Sequence, residues 1–121
     1  MTESATTFKK LPEYPEWVMA LPRVHTDFPG AEGRLMSSPN GQLVFWLFAT
    51  GGSVPQHKHG PQLGFVVSGS VLLQRSGCSD LYRSGESFSI ADGEPHGAEI
   101  EPGTLVMEVF SESDRHREWT P

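Results

Sequence analysis

The sequence HKHGPQ, which runs from His57 to Gln62, carries the strongest structural signal in the chain. It places two imidazoles two residues apart, and side chains at that spacing project from the same face of an extended strand. Gln62 adds an amide oxygen, and a third imidazole follows at His96. Imidazole nitrogen and amide oxygen are donors that suit zinc, nickel, iron or manganese. The pattern therefore predicts a divalent metal site with the ligands His57, His59, Gln62 and His96.

The glycines around these histidines give the pattern its specificity. A His-x-His pair alone is a weak signal, because a chain with five histidines can place two of them on a solvated strand by chance. Here the histidines lie in two segments that match most of the paired sequence motif of the cupin superfamily. The matching residues are, in the first motif, Gly51, His57, His59 and Gly69 and, in the second, Gly85, Gly93 and His96. The chain therefore resembles a cupin over residues 30–112.

The motifs depart from the cupin pattern at the acidic ligand. Gln62 stands where cupins have Glu, and it lies one residue closer to His59 than usual. In the second motif Ala91 and Ile100 replace the usual Pro and Asn. A Gln ligand adds no charge, so a divalent ion would keep its full charge and polarise a substrate oxygen strongly. The sequence leaves open whether Gln62 binds the metal or only lines the pocket.

The resemblance implies an all-β fold, the cupin double-stranded β-helix or jelly-roll barrel. The residues from Arg34 to Phe110 agree with this fold, because short strand-like apolar runs alternate there with Gly- and Pro-rich turns. Val54 to His59 is expected to form the strand that carries both clustered histidines. We expect an N-terminal arm at residues 1–29, the barrel at 30–112 and a C-terminal tail at 113–121.

The arm carries apolar side chains that need a surface to pack on. Residues 11–22 contain three prolines, which exclude a long helix and disfavour pairing as a central strand. The large apolar residues of this stretch include Trp17, Val18, Met19 and Leu21. They are expected to pack either on the chain's own barrel or on a second subunit. Since cupins commonly pair as dimers, the resemblance favours a homodimer.

Composition disfavours several classes of partner. The 121 residues suffice for one domain, and their formal net charge of −6 disfavours nucleic acids and anionic membranes. The sequence shows no signal-peptide pattern and no apolar run of membrane-spanning length, so a cytoplasmic location is expected. Cys78 is the only cysteine, which excludes an intramolecular disulfide and favours a structural role for this thiol.

The last predicted strand offers a candidate acid and base. Alternation along Leu105 to Phe110 places Glu108 and Phe110 on one face and three apolar side chains on the other. We expect the Glu108 face to point into the barrel, where a carboxylate could exchange protons with a substrate. The opposite orientation would leave Glu108 in solvent.

The end of this strand is similar in sequence to one particular group of cupins. Glu108-Val109-Phe110-Ser111 is similar to the Asp-x-Phe-Ser pattern of the small single-domain cupins of KdgF type, which act in pectin and alginate breakdown. That resemblance implies that Glu108 and Phe110 are catalytic and that the reaction is the ring opening of 4,5-unsaturated uronates to linear keto sugars. The chain departs from these relatives in having Glu for Asp, a shorter gap between His59 and Gln62, and no Pro-rich tail.

Three function classes remain open for a metal-binding cupin of this kind. The first is an isomerase or lyase of uronate-like sugars, and the second is a metal-dependent dioxygenase. The third is a barrel without catalytic activity that binds or senses a small sugar. In each class the partner is a small polar or anionic molecule.

For several other residues the sequence allows a role at the site or an ordinary structural or surface role. Arg34 or Arg75 could supply a cation at the barrel mouth, or each could be an ordinary surface charge. Gly64 would lie on the inner face of its strand, leaving either room for a substrate or space for close packing. His25 and His116 have no partner at ligand spacing and are expected on the surface or in the arm.

Overall fold

The structure, a computed structural model, describes residues 13–121. Within this range the chain forms one short helix and nine strands. In chain order the elements are α1 (Glu16–Met19), β1 (Ala31–Ser38), β2 (Gly41–Phe48), β3 (Gly52–His57), β4 (Gln62–Ser68), β5 (Ser70–Arg75), β6 (Cys78–Arg83), β7 (Ser87–Ile90), β8 (His96–Ile100) and β9 (Thr104–Phe110). No helix among these residues has the length and apolar character that crossing a membrane requires.

The strands form two antiparallel sheets. The first sheet has the order β1-β2-β9-β4-β7 and the second has the order β3-β8-β5-β6. The chain passes repeatedly from one sheet to the other, so most neighbours within a sheet are distant in sequence, as in a jelly roll. This arrangement confirms the all-β jelly-roll barrel that the sequence predicts.

A hydrophobic core fills the space between the two sheets. Val66 and Val106 of the first sheet are buried there together with Leu73 of the second sheet. Side chains alternate along a strand, so the parity that buries Val66 and Val106 also turns Gln62 and Glu108 inward. The core pattern therefore directs two polar side chains of the first sheet into the barrel.

The N-terminal segment covers part of the outer face of the first sheet. Tyr14 and Val18 are buried against Phe45, which points away from the barrel interior. The Tyr14 hydroxyl donates a hydrogen bond of 2.7 Å to the carbonyl oxygen of Trp46. The described part of the predicted arm thus packs on its own barrel, whereas residues 1–12 lie outside the described residues.

The C-terminal segment, residues 113–121, returns to the N-terminal part of the chain. Val24 and Glu118 form an isolated antiparallel bridge. The His25 N–H donates a hydrogen bond of 2.8 Å to the carbonyl oxygen of Arg117. These contacts draw the segment along the barrel, so that its residues come close to the histidine cluster.

Candidate metal centre

Two of the three candidate histidines face each other across neighbouring strands. β3 and β8 pair in a register that puts His57 opposite His96. His59 lies in the loop after β3, because the strand ends at His57. The prediction that Val54 to His59 forms one strand carrying both histidines is therefore wrong.

Local chain geometry ends β3 before His59. The pairing with β8 shifts register shortly before His57, and Pro61 then provides no N–H to continue a ladder. The loop is held by other contacts. The Gly93 N–H donates to the carbonyl oxygen of His59 over 2.9 Å, and the Gly60 N–H donates to the Glu112 carboxylate over 2.8 Å. His59 is thus directed toward the other two histidines by its loop contacts.

The three imidazoles converge on one point. His57, His59 and His96 each offer a ring nitrogen, and these atoms lie within 4.8 Å of one another. The ring centroids of His57 and His96 are 4.3 Å apart, and those of His59 and His96 are 4.8 Å apart. This spacing is compatible with three nitrogen ligands around one divalent ion.

Backbone carbonyls fix which nitrogen of each imidazole carries the proton. The Nδ1 atoms of His57, His59 and His96 lie 2.9, 2.7 and 2.8 Å from carbonyl oxygens of nearby residues. A carbonyl can only accept, so each Nδ1 donates and each Nε2 keeps a free lone pair. Metal-binding histidines are commonly oriented in this way. The histidines therefore fit a metal ion in their protonation as well as in their spacing.

Burial also favours the neutral, metal-binding form of two of these histidines. Desolvation lowers the pKa of His59 and of His96, and it outweighs the hydrogen bonds to the carbonyls of Gly60 and Glu94, which act in the opposite direction. A lower pKa keeps the imidazole uncharged near neutral pH, so little proton release is needed before an ion binds.

Gln62 and Glu108 form a hydrogen-bonded pair beside the histidines. Gln62 is buried at the start of β4, and its Nε2 donates to the Glu108 carboxylate. This contact uses the amide nitrogen and leaves the amide oxygen for another partner. The amide oxygen of Gln62 therefore stays available as a candidate metal ligand, while the amide nitrogen orients Glu108.

Glu108 lies inside the barrel, on the face that strand alternation predicts, and it lines the same cavity as the histidines. Burial raises the pKa of its carboxyl group to about 7. The indole N–H of Trp46, which lies near the carboxylate without forming a hydrogen bond of ordinary geometry, opposes this rise, as do Arg115 and Gln62. The carboxyl group can thus exist in either protonation state near neutral pH.

The cavity has a volume of about 200 Å³ and a polar end. The polar side chains in its wall include His57, His59, Gln62, His96, Glu108, Arg115 and His116. The rest of the wall is mainly apolar and includes Phe28, Trp46, Phe48, Leu73, Phe88, Ile90 and Phe110. Drug-sized ligands generally occupy pockets of about 300–1,000 Å³. The cavity is therefore suited to a small molecule with one polar end.

The sequence interpretation missed two residues of this wall, Arg115 and His116. His116 was expected on the surface or in the arm, and that expectation is wrong, because its ring packs against Trp46 at 5.4 Å and against Phe110 at 5.2 Å. Burial, helped by the positive charge of Arg115, lowers the pKa of His116 to about 4. The Arg115 guanidinium lies over the Phe110 ring at 5.8 Å. No strand or motif pattern in residues 113–121 signals these positions.

The two arginines suggested as cations for a substrate are engaged elsewhere. Arg34 lies 2.5 Å from the Glu32 carboxylate, and Arg75 lies 3.3 Å from the Glu94 carboxylate. Neither side chain lines the cavity, whereas Arg115 does. Within residues 13–121, Arg115 forms no ion pair with a carboxylate. Among the residues that the structure describes, Arg115 is therefore the arginine available to a ligand in this cavity.

The absence of a side chain at Gly64 is explained by packing. A Cβ atom on Gly64 would lie only 2.2 Å from the ring of Phe88 on the neighbouring strand β7. Of the two interpretations that the sequence permits, close packing is therefore correct. The space above Gly64 is filled by protein and not by the cavity.

Comparison with known proteins finds similarity among solved structures. No protein-family model matches the chain, and no curated protein matches it. KdgF from Halomonas sp. is 26% identical with a TM-score of 0.67, over 75% of this chain and 87% of that chain. An RmlC-like cupin from Shewanella frigidimarina is 21% identical with a TM-score of 0.69, over 78% of this chain and 86% of that chain.

A third structure, more distant in sequence, has the same fold. Salicylate 1,2-dioxygenase from Pseudoaminobacter salicylatoxidans, solved as adducts with gentisate, is 15% identical with a TM-score of 0.63. The match covers 71% of this chain and 26% of that chain. The second and third matches show the fold alone. The shared fold and the three-histidine cluster fit a metal-binding cupin.

Proposed function

We propose that this small cupin-fold protein, which resembles KdgF, is a metal-dependent isomerase that opens the ring of a 4,5-unsaturated uronate. The observation that supports this most directly is the position of Glu108. The half-buried carboxyl group of Glu108 shares one small cavity with three converging imidazoles and is hydrogen-bonded to Gln62. An acid and base held beside a metal site is the arrangement that proton transfer on a metal-bound sugar needs.

The charges around the cavity favour an anionic substrate. When bound, a divalent ion would supply a Lewis acid that polarises a substrate oxygen. His57, His59, Gln62 and His96 would hold it without adding negative charge, and Arg115 adds a second positive charge nearby. A uronate carries one carboxylate, which Arg115 can bind through its guanidinium.

Glu108 would move the proton that ring opening requires. In a 4,5-unsaturated uronate the hydroxyl at C1 loses its proton, C1 becomes an aldehyde carbon and the bond from C1 to the ring oxygen breaks. The electron pair released to the ring oxygen forms a carbonyl at C5, and C4 takes up a proton. The net change moves one proton from oxygen to carbon and needs no other reactant. A divalent ion bound nearby would favour the ionised form of Glu108, and this carboxylate can accept the proton from the C1 hydroxyl and then donate it to C4.

Phe110 would set the position of the sugar relative to the metal. Its ring lies 5.6 Å from that of His59 and is almost completely buried at the polar end of the cavity. An aromatic face beside the ligands can pack against one side of a sugar ring. The cavity volume of about 200 Å³ fits one such ring better than an oligosaccharide.

The first experiment is metal analysis before and after chelation, beside a His57→Ala/His59→Ala variant. We expect about one divalent ion per chain in the wild type and loss of the ion in the variant. The metal-loaded protein is then assayed with 4,5-unsaturated galacturonate, following loss of absorbance of the double bond. Absence of reloadable metal in the wild type would exclude this mechanism.

Replacement Glu108→Gln tests the proposed acid and base. We expect kcat to fall about 100- to 10,000-fold with the metal content unchanged, because the amide keeps the shape of the side chain but cannot take up a proton. Glu99→Gln, at an exposed carboxylate bonded to Ser53, is the matched control and should retain full activity. Equal turnover by Glu108→Gln and wild type would refute the role of Glu108.

A second candidate function is ligand binding without turnover, and the apolar wall of the cavity favours it. Phe48, Leu73 and Ile90 offer no hydrogen bonds to the hydroxyl groups of a sugar, so a less polar acid would also fit. Under this alternative, Glu108→Gln would bind ligand as well as the wild type does, and neither protein would convert it. Oxygen consumption by the iron-loaded protein would favour the dioxygenase alternative.

A further inference from the structure

The C-terminal segment contacts residues 23–25 through its backbone, and it is also attached to strand β2 through one buried side chain, that of Gln42. Gln42 lies on β2 and is 4% exposed. Its Oε1 accepts a hydrogen bond of 2.7 Å from the His116 N–H, and its Nε2 donates a hydrogen bond of 2.8 Å to the His116 carbonyl oxygen. The same Nε2 donates to the Ser37 hydroxyl over 3.1 Å. One amide thus binds both polar groups of a residue 74 positions away in the chain.

We propose that Gln42 is a positioning residue: its amide holds the His116 peptide and thereby keeps the C-terminal segment in the wall of the cavity. A side-chain amide that pairs with both the N–H and the C=O of one residue fixes the direction of that peptide as a neighbouring strand would. His116 is half-buried, and within residues 13–121 Gln42 is the hydrogen-bond partner of both its N–H and its carbonyl oxygen.

The two hydrogen bonds between the Gln42 amide and the His116 backbone, called the Gln42 clamp below, determine where two side chains of the segment lie. With its backbone held, His116 packs edge-on against Trp46 and Phe110, and Arg115 extends over Phe110. Farther along, the Trp119 N–H donates to the carbonyl oxygen of Arg23 over 2.7 Å. That contact and the hydrogen bond from the His25 N–H to the Arg117 carbonyl oxygen hold the segment beyond His116, whereas Gln42 holds the His116 peptide itself.

The position of His116 makes it a candidate contact for a small molecule bound in the cavity. His59 and His116 both pack against Phe110, with ring centroids 5.6 Å and 5.2 Å from it. All three side chains line the same cavity, so a molecule bound at the histidine cluster has His116 within the same small space. The His116 imidazole has no hydrogen-bond partner among the described residues, so its donor and its acceptor remain available. This contact with His116 rests on the proposed function only for the identity of the bound molecule.

Limited trypsin digestion of the native protein tests the clamp, because Arg115 and Arg117 are cleavage sites within the segment. Gln42→Met keeps the size of the side chain and removes all three hydrogen bonds. We expect cleavage after these arginines to become at least about tenfold faster than in the wild type, because release of the segment becomes more frequent. Ser37→Ala, which removes only the bond to the hydroxyl, is the control and should be cleaved at the wild-type rate.

The imidazole resonances of His116 supply a second readout, which reports on this one residue of the segment. In metal-free protein the charged or titratable groups near His116 are Arg115, His59 and Glu108. We expect the pKa of His116 to rise from about 4 toward its ordinary value of 6.5 in Gln42→Met and to stay low in Ser37→Ala. Gln42→Glu keeps an acceptor for the His116 N–H but loses the donor, so its trypsin cleavage rate should lie between those of Gln42→Met and Ser37→Ala. It is left out of the titration, because its negative charge would itself raise the pKa of His116.

Unchanged cleavage and an unchanged His116 titration in folded Gln42→Met would overturn the proposal. If Gln42→Met does not fold, amide exchange in the wild type decides. The His116 N–H should be protected at least about 100-fold relative to a free peptide, and free exchange would refute the clamp. None of these measurements needs a substrate. Failure of the wild type to convert uronates would therefore refute the proposed function and not the clamp.

In the uronate assay, Gln42→Met should raise KM with its metal content unchanged, because the residue touches none of the candidate metal ligands. An unchanged KM together with a released segment would show that the cavity wall formed by Arg115 and His116 does not contact the ligand. That result would overturn the part of the proposal that concerns ligand contact.

Discussion

The carbonyl groups of Pro55, Gly60 and Glu94 set the protonation of the candidate metal ligands. Each accepts a hydrogen bond from the Nδ1 of one clustered histidine. The Nε2 atoms are thereby left as lone-pair donors before any ion arrives. Since each carbonyl lies within two residues of its histidine, short segments of chain preorganise the ligands. Substitutions that move these carbonyl groups should therefore weaken metal binding even where they leave the three histidines in place.

Substitution Gly64→Ala should destabilise the fold without removing the metal. The added methyl group would collide with the Phe88 ring, and overpacking of this kind costs about 1–3 kcal/mol of the free energy of unfolding. Urea unfolding of the metal-free proteins measures the effect. Gly64→Ala/Phe88→Leu should recover part of the loss, because the smaller side chain makes room for the methyl group. A stable Gly64→Ala protein with a raised KM would instead show that Gly64 leaves room for substrate.

At the scale of secondary-structure elements, the short helix α1 protects the outer face of the first sheet. Val18 is 1% exposed and packs with Tyr14 against Phe45 and Leu105. The Tyr14 hydroxyl also donates to the carbonyl oxygen of Trp46. The N-terminal segment therefore buries an apolar surface that a barrel without it would expose to water.

Replacement of Val18 by Ala tests this covering role. We expect the free energy of unfolding to fall by about 2 kcal/mol, because two buried methyl groups are removed and a cavity remains. Trp17→Ala is the control from the same helix, since Trp17 is 61% exposed and its loss should cost much less. Chemical denaturation of the three proteins measures the difference. A larger loss in Trp17→Ala than in Val18→Ala would show that the exposed face of the helix is covered in solution.

At the scale of the whole molecule, the candidate metal site joins the two sheets. His57 and His96 belong to the second sheet, whereas Gln62 and its partner Glu108 belong to the first. An ion held by ligands from both sheets would oppose their separation. Binding to the folded state alone stabilises a protein in proportion to the logarithm of ligand concentration.

Removal of metal should therefore lower the melting temperature. At a free metal concentration about 100 times Kd, the ion adds about 2.7 kcal/mol to the free energy of unfolding, which corresponds to a shift on the order of 10 °C. Calorimetry with and without chelator measures the shift. His57→Ala/His59→Ala should show no response to added metal, whereas His25→Ala, outside the cluster, should respond as the wild type does. A wild-type melting temperature independent of added metal would contradict this linkage.

The sequence alone predicted the all-β jelly roll, through its resemblance to cupins, and it named the candidate site residues. Two motifs identified His57, His59 and His96 as candidate metal ligands, and strand alternation predicted that Glu108 points inward. These features could be predicted because side-chain periodicity and glycine spacing are local properties of the chain. That these histidines and Gln62 bind a metal remains a prediction. The proposed homodimer, the cytoplasmic location and the catalytic roles of Glu108 and Phe110 remain predictions.

Only the tertiary structure determined the rest of the cavity wall. His59 reaches the cluster from a loop, and its position depends on contacts with Gly93 and Glu112. Arg115 and His116 enter the wall on a segment that is held by Gln42, 74 positions before His116 in the chain, and by backbone contacts with residues 23–25. A segment without regular secondary structure has no periodicity from which its path can be predicted, so its position depends on long-range hydrogen bonds that form only when the barrel has folded.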